Sequence, residues 1–353
     1  MKSLHRILYV SLTVCLLPFA SLADGGSILN PTPKKSLCFE NILDYPGPLP
    51  PVLEMPLDYT EMYESEEAAY LDRYATYLNS LLARATVSID AQQRLMAEML
   101  QIARTKPIQW PDKANPPHNF EFITLMPYIV GYAHHKNAFS PAERLEVEGW
   151  INSRFKLIGD RFLAKKANSR VYDLGSLIAA YGYAIDNPAL TKKAYRVYTT
   201  AIKYLREDGS LREDSERGGS ALFYTASSIG NLVTLAEMLR SSGIDAYSYS
   251  YKDQSLHDAV AFLVAATKDP SLIYGYASQN PEQRNLAIPG YSPEKMDMTW
   301  LKSHLIGWGH FYIARFPNHP NSKALLELSP YLRSGEIQSA VRPAGNSRCF
   351  LGR

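Results

Sequence analysis

Cysteine is scarce in this chain, with three among 353 residues. A disulfide-stapled small fold and a cysteine-rich zinc module are both excluded by that count. No His-Glu-x-x-His, Cys-x-x-Cys or phosphate-cradling glycine loop occurs, and the adjacent His134 and His135 diverge on a helix. No metal, nucleotide or other cofactor is expected. Strand-type alternation is rare and no tetratricopeptide-like period repeats, which disfavours all-β folds and regular solenoids. Charge of one sign is lacking too, since the net is +2. Nucleic acid is therefore not an expected partner, and affinity for any polyanion must come from a local cluster.

One apolar run stands out, Ile7 to Phe19, after Lys2 and Arg6 and before Ser-Leu-Ala at 21–23. It reads as a cleaved secretory signal with cleavage after Ala23. Cys15 lies inside that run and is a poor lipidation site. Cleavage removes two of the 37 basic residues and none of the 35 acidic ones, which leaves a neutral mature chain. No later segment is apolar enough to span a bilayer. A periplasmic or secreted protein follows, monomeric and with no membrane span once mature.

Residues 24–56 are rich in proline and glycine and read as an extended arm. Amphipathic helical patterns then succeed one another at 66–84, 88–105, 120–135, 140–163, 170–185, 190–206, 220–242, 253–267, 297–316 and 321–333. Helical hairpins in series make an all-α toroid or a helical bundle, and the length fits one domain over 24–353. The 24 tyrosines suit stacking on sugars and suit helix packing equally well.

The most informative run is DGSLREDSERGGSALFY, Asp208 to Tyr224. It sets Arg217 and Tyr224 seven residues apart around Gly218-Gly219, with helical periodicity resuming near Ser220. The glycines allow the backbone to reverse, so that Arg217 folds back towards the phenol in the first helical turn. One arginine and one tyrosine beside a helix start also occur in ordinary surface turns, and the run alone does not decide between the two.

From Gly209 to Tyr224 this run resembles, without a gap, the active-site segment of the alginate lyase family of periplasmic poly(β-D-mannuronate) lyases. Upstream, LAKKANSRVYDLGSLIAAYGYA resembles the family's Asn-Asn-His segment, with Asn168 on the second Asn. Ser169 stands where the family has its catalytic histidine, and Thr225 replaces another histidine after the tyrosine. CFENILDYPGPLPPVL, TEMYESEEAAYLDRYATYLN and MDMTWLKSHLIGWGHFY resemble further family segments in the family's order. Tyr63 falls on the lid tyrosine that covers bound sugar, although the lysine usual before it is Met62.

The resemblance implies an incomplete α/α toroid with a cleft, an acidic polysaccharide as partner, and β-elimination as the reaction. Such chemistry removes the proton beside a uronate carboxylate, so it needs a neutraliser for the carboxylate, a base, and an acid for the leaving oxygen. Asn168, Arg217 and Tyr224 take those catalytic roles, Tyr224 as base and then acid. Ser169 serves neither well, and the neighbouring Arg170 either supplies the missing charge or is a solvated helix-start residue. His118, Asn119 and Trp300 are further candidates for binding sugar, while Trp308 reads as core. Two rivals remain open. One is a glycoside hydrolase using Glu213, Asp214 and Glu216, which sit too close together for opposed carboxylates and are expected to be solvated or to orient Arg217. The other is a catalytically decayed periplasmic exopolysaccharide-binding protein.

Cys38 and Cys349, the two cysteines left after signal removal, are expected to form a disulfide joining the two ends of the mature chain. Protein isolated from an oxidising compartment should show no titratable thiol after denaturation. Loss of either cysteine should lower the melting temperature, with up to ~5 kcal/mol available from closing so long a loop.

Overall fold

Apolar residues recurring at every third or fourth position commit most of this chain to helices, and short connections force neighbours to run antiparallel. The computed structural model describes residues 47–55, 65–109, 118–162, 167–279 and 307–334. The expected leader at 1–23, Cys38, Tyr63, Trp300 and Cys349 lie outside the described residues. In chain order the principal helices are α1 (Glu66–Ala85), α2 (Ile89–Thr105), α3 (His118–His135), α4 (Pro141–Phe162), α5 (Ser169–Ala184) and α6 (Pro188–Lys203). They continue as α7 (Arg212–Ser215), α8 (Ala221–Ser241), α9 (Leu256–Lys268), α10 (Ser271–Ala277), α11 (Gly309–Arg315), α12 (Pro320–Leu328) and α13 (Pro330–Ser334).

Packing sorts these helices into two layers. Helices α1, α3, α5 and α8 contact one another in succession, and α2, α4, α6 and α9 pack against them from outside. The result is an α/α toroid. Helices α5 and α8 are buried over most of their residues, as inner helices sandwiched between neighbours must be. Outer helices α2 and α6 bury a single stripe.

Local signals fix where the helices begin. Ser88, Asn168, Asn187 and Ser255 each place a side-chain oxygen on the backbone N–H groups of the first turn, and Ser255 forms a reciprocal capping box with Asp258. That cap corrects the expected start of α9, because Asp253 lies outside the helix in a left-handed conformation, φ 61°. The pattern over 321–333 divides at Pro330, which has no N–H to continue the helix. Trp308 is core as expected, packed so close to Gly230 that a Cβ there would lie 2.6 Å from its ring.

The described end of the expected arm is extended and docks through its apolar residues. Leu53–Glu54 pairs in parallel with Ile108–Gln109, Leu49, Leu53 and Met55 are buried, and Tyr70 donates to the Pro48 carbonyl at 2.7 Å.

At the far end of α8, the buried Glu237 receives Arg315 of α11 through Nη2 at 2.9 Å and Nε at 3.3 Å, and Tyr247 donates to it at 3.0 Å. Removing the cation alone would strand a carboxylate that is 1% exposed. Arg315→Met should therefore lower the unfolding free energy in urea by about 3 kcal/mol, and the paired change Glu237→Leu with Arg315→Met should restore most of it.

Candidate active site

The chain between α6 and α8 is forced through two tight bends. Gly209 has φ +83°, and a Cβ there would sit 2.4 Å from the Asp258 carbonyl oxygen, so this turn requires glycine. Gly218 takes φ 52° at the start of a 3₁₀ turn, Gly218–Ser220, that leads into α8. The reversal brings the Arg217 guanidinium over the face of the Tyr224 ring, its carbon 3.9 Å from the ring centroid. Tyr224 is the fourth residue of α8 and is 9% exposed. Phe223 meets the same ring edge-on at 5.1 Å. Among the described residues no hydrogen bond reaches the Tyr224 hydroxyl, which leaves it available to a ligand.

Beside this turn stands the start of α5. Asn168 caps it, its Oδ1 accepting from the backbone of Arg170 at 3.1 Å and of Val171 at 3.4 Å. That orientation uses the oxygen and leaves the amide Nδ2 without a partner among the described residues, so Asn168 can still donate. Ser169 is buried, and its backbone is held at both ends: its N–H donates to Asp214 at 3.4 Å and its carbonyl accepts from Asn231 at 3.0 Å. Arg170 is half-buried and makes no ion pair with a described residue. Thr225 is fully buried.

The two halves are joined by Asp214, which is fully buried. Its Oδ1 accepts from Ser169 of α5, its Oδ2 accepts from the Ser228 hydroxyl of α8 at 2.6 Å, and its own carbonyl accepts from the Arg217 N–H at 3.4 Å. Burial pushes its carboxyl up to about 7, against those hydrogen bonds and the nearby Arg217 charge. The expectation of a solvated Asp214 is thus corrected, while its carbonyl does hold the Arg217 backbone. Asp214 is a buried junction, and Glu216 pairs with Arg206, which also donates to Ser215 at 2.8 Å. With these carboxylates engaged, the opposed pair that a hydrolase needs is not assembled here.

Ser228, Asn231 and Arg206 are positioning residues missed in the sequence, as was the burial of Asp214 between α5 and α8. Ser228 and Asn231 lie one and two turns along α8 from Tyr224, a spacing that could have placed them towards α5. His118 and Asn119 open α3, but their side chains lie outside the described residues. His134 and His135 have ring centroids 6.0 Å apart at 49°, and burial pushes His134 down to about 4. Among the described residues no cluster of histidine, cysteine and carboxylate could hold a metal ion.

The raised Asp214 carboxyl makes stability depend on pH in a stated direction. Unfolding lets it ionise near the ordinary ~3.9, whereas the fold keeps it protonated until about 7. Its contribution is whole below about pH 4 and is lost as pH rises through 7. Melting temperatures of Asp214→Asn measured over this window should lack the downward slope that this group gives the wild type.

Comparison with known proteins bears on the fold and on the family of the central helices. Residues 121–273, which hold Asn168, Arg217 and Tyr224, match the family model for alginate lyase. A curated polysaccharide lyase of Stenotrophomonas maltophilia (strain K279a) is 24% identical over 183 residues, a match spanning 51% of this chain and 48% of that protein. It thus extends over about half the length of that relative. Among solved structures, alginate lyase A1-III from Sphingomonas species A1 superposes with a TM-score of 0.64 at 18% identity, over 91% of this chain and 88% of that one. A histidine-to-alanine variant of A1-III complexed with tetrasaccharide gives 0.64 at 19% identity over the same shares. The chain therefore has the fold of the A1-III alginate lyase structures, and its central helices carry the alginate lyase family match.

Proposed function

We propose that this protein is a polysaccharide lyase that cleaves a uronate-containing polymer by β-elimination. The observation that carries this reading is the guanidinium of Arg217 stacked on Tyr224, at the mouth of α8 and beside the Asn168-capped start of α5. In the reaction, the Tyr224 oxygen takes the proton from the carbon bearing the carboxylate. The released electron pair forms a double bond to the next carbon, and the bond from that carbon to the glycosidic oxygen breaks. The same phenol then returns the proton to the leaving oxygen. Arg217 supplies fixed positive charge where negative charge develops, and the Asn168 amide donates to the substrate carboxylate.

The relatives support the substrate class. A tyrosine-to-phenylalanine variant of alginate lyase A1-III was solved complexed with tetrasaccharide. For this chain a mannuronate-type or glucuronate-type polymer is proposed. Ser169 lacks the second base that acceptance of several uronate stereochemistries requires, and Arg170 is assigned the charge that a histidine would bring. Tyr63, His118, Asn119 and Trp300 are retained as sugar contacts of the cleft, and the leader places the mature protein in the periplasm or outside the cell. The same Ser169 also favours the second reading, a binding protein that has lost turnover.

Ultraviolet absorbance of the unsaturated product separates the two readings on a panel of polymannuronate, polyguluronate and polyglucuronate. Tyr224→Phe should abolish product formation while polymer binding persists, and Arg217→Ala should lower turnover about 10²–10³-fold. Arg170→Ala should lower the rate on the best substrate. An unchanged rate in the Phe variant would remove Tyr224 from the mechanism, and absence of product from every polymer would leave the binding protein.

A further inference from the structure

On the outer side of the α6–α7 loop lies a cavity of about 640 Å³, within the size range of ligand sites. One wall is a turn, Tyr251 to Gln254, closed by Tyr251 N–H to the Gln254 carbonyl at 2.9 Å and Gln254 N–H to the Tyr251 carbonyl at 3.0 Å. Both central residues are left-handed, Lys252 at φ 49° and Asp253 at φ 61°. This turn type is normally built from glycine, asparagine or aspartate, so Lys252 is the residue out of keeping. Non-glycine residues kept in such a conformation concentrate at ligand-binding places.

What the strained turn achieves is the presentation of an aromatic face. Tyr251 is 39% exposed, and the Nζ atoms of Lys203 and Lys252 each lie 5.7 Å from its ring centroid. Lys203, Arg212 and Lys252 all line the cavity, and none pairs with a carboxylate among the described residues. The opposite wall is rigid, with Arg206 stacked on Tyr276 at 4.1 Å and the Tyr276 hydroxyl donating to Asp208 at 2.6 Å. Glu207 and Asp208 also line it.

We propose that this cavity is a second saccharide site, distinct from the Arg217–Tyr224 centre, that binds a uronate-bearing segment of a polymer. An exposed tyrosine offers a stacking surface for a sugar ring, the unpaired cations receive one carboxylate per residue, and Glu207 and Asp208 accept from sugar hydroxyls. The two carboxylates oppose a dense anion such as a phosphate cluster, which brings no hydroxyls for them. The ligand class rests on the polysaccharide reading above; the site itself rests on the turn and its charges.

The test is affinity electrophoresis of the full chain through gels containing sodium alginate or neutral dextran, beside the ultraviolet rate on an alginate tetrasaccharide. Lys203→Ala with Lys252→Gly removes two charges while giving φ 49° to a residue that tolerates it, and Tyr251→Ala removes the stacking face. Each should weaken retardation by alginate about tenfold, leave migration in dextran unchanged and leave the tetrasaccharide rate unchanged. Retardation that survives both variants, equal retardation by dextran, or no retardation of the wild type would overturn the proposal. So would a tetrasaccharide rate that falls in step with binding, because the cavity would then be part of the cleft. A wild type that makes no unsaturated product but loses retardation in these variants would sink the lyase reading and sustain the site.

Discussion

The arrangement depends on one buried carboxyl group. Asp214 meets Ser169 on α5 and Ser228 on α8, while its backbone receives Arg217. Two inner helices and the turn between them are thereby fixed relative to one another through a single side chain. Its burial disfavours charge, and its neighbours are donors that favour it, so its ionisation settles near neutrality. A group in that balance can hold geometry on both sides of the midpoint, since either form accepts hydrogen bonds from the Ser169 N–H and the Ser228 hydroxyl. Its anionic form alone adds attraction for the nearby guanidinium.

From that junction the order of the neighbouring parts follows. Asn231 reaches from α8 to the Ser169 carbonyl, and Ser176 reaches back to the Asn231 carbonyl at 3.2 Å. Arg206 secures the other side of the loop through Ser210, Ser215 and Glu216. Arg217 is thus carried on a short segment anchored at both flanks, which is how a loop residue attains the preorganisation that electrostatic catalysis requires. The bidentate Glu237–Arg315 contact does the same for the opposite end of α8.

The helices were legible in the sequence because their burial is periodic and their caps are local; Asn168, Asn187 and Ser255 each act on residues two or three positions away. The stacking of Arg217 on Tyr224 was legible for the same reason, being confined to one turn of chain. Asp214 was not. In the run Arg-Glu-Asp-Ser-Glu-Arg all charged residues look alike, and only the packing of α5 against α8 buries one of them while leaving Arg206 to take Glu216. The partners that distinguish it lie 45 residues before it and 14 after it, a separation over which periodicity carries no information.

Ser169 illustrates how a helix start is held by its main chain. Ser169 is the first residue of α5, and both its backbone groups are committed to the junction, so the helix start is held by main chain irrespective of the side chain. The cap Asn168 keeps its oxygen on the helix and its amide turned to other use, and Arg170 follows one residue later on the same turn, unpaired among the described residues. In the proposed lyase reaction this anchored turn offers positive charge to a substrate carboxylate through the Arg170 side chain. What a guanidinium cannot do is accept a proton, because it stays charged at any pH the fold survives. In the proposed reaction, then, Arg170 serves charge neutralisation, no second base stands at Ser169, and proton transfer falls to Tyr224 alone.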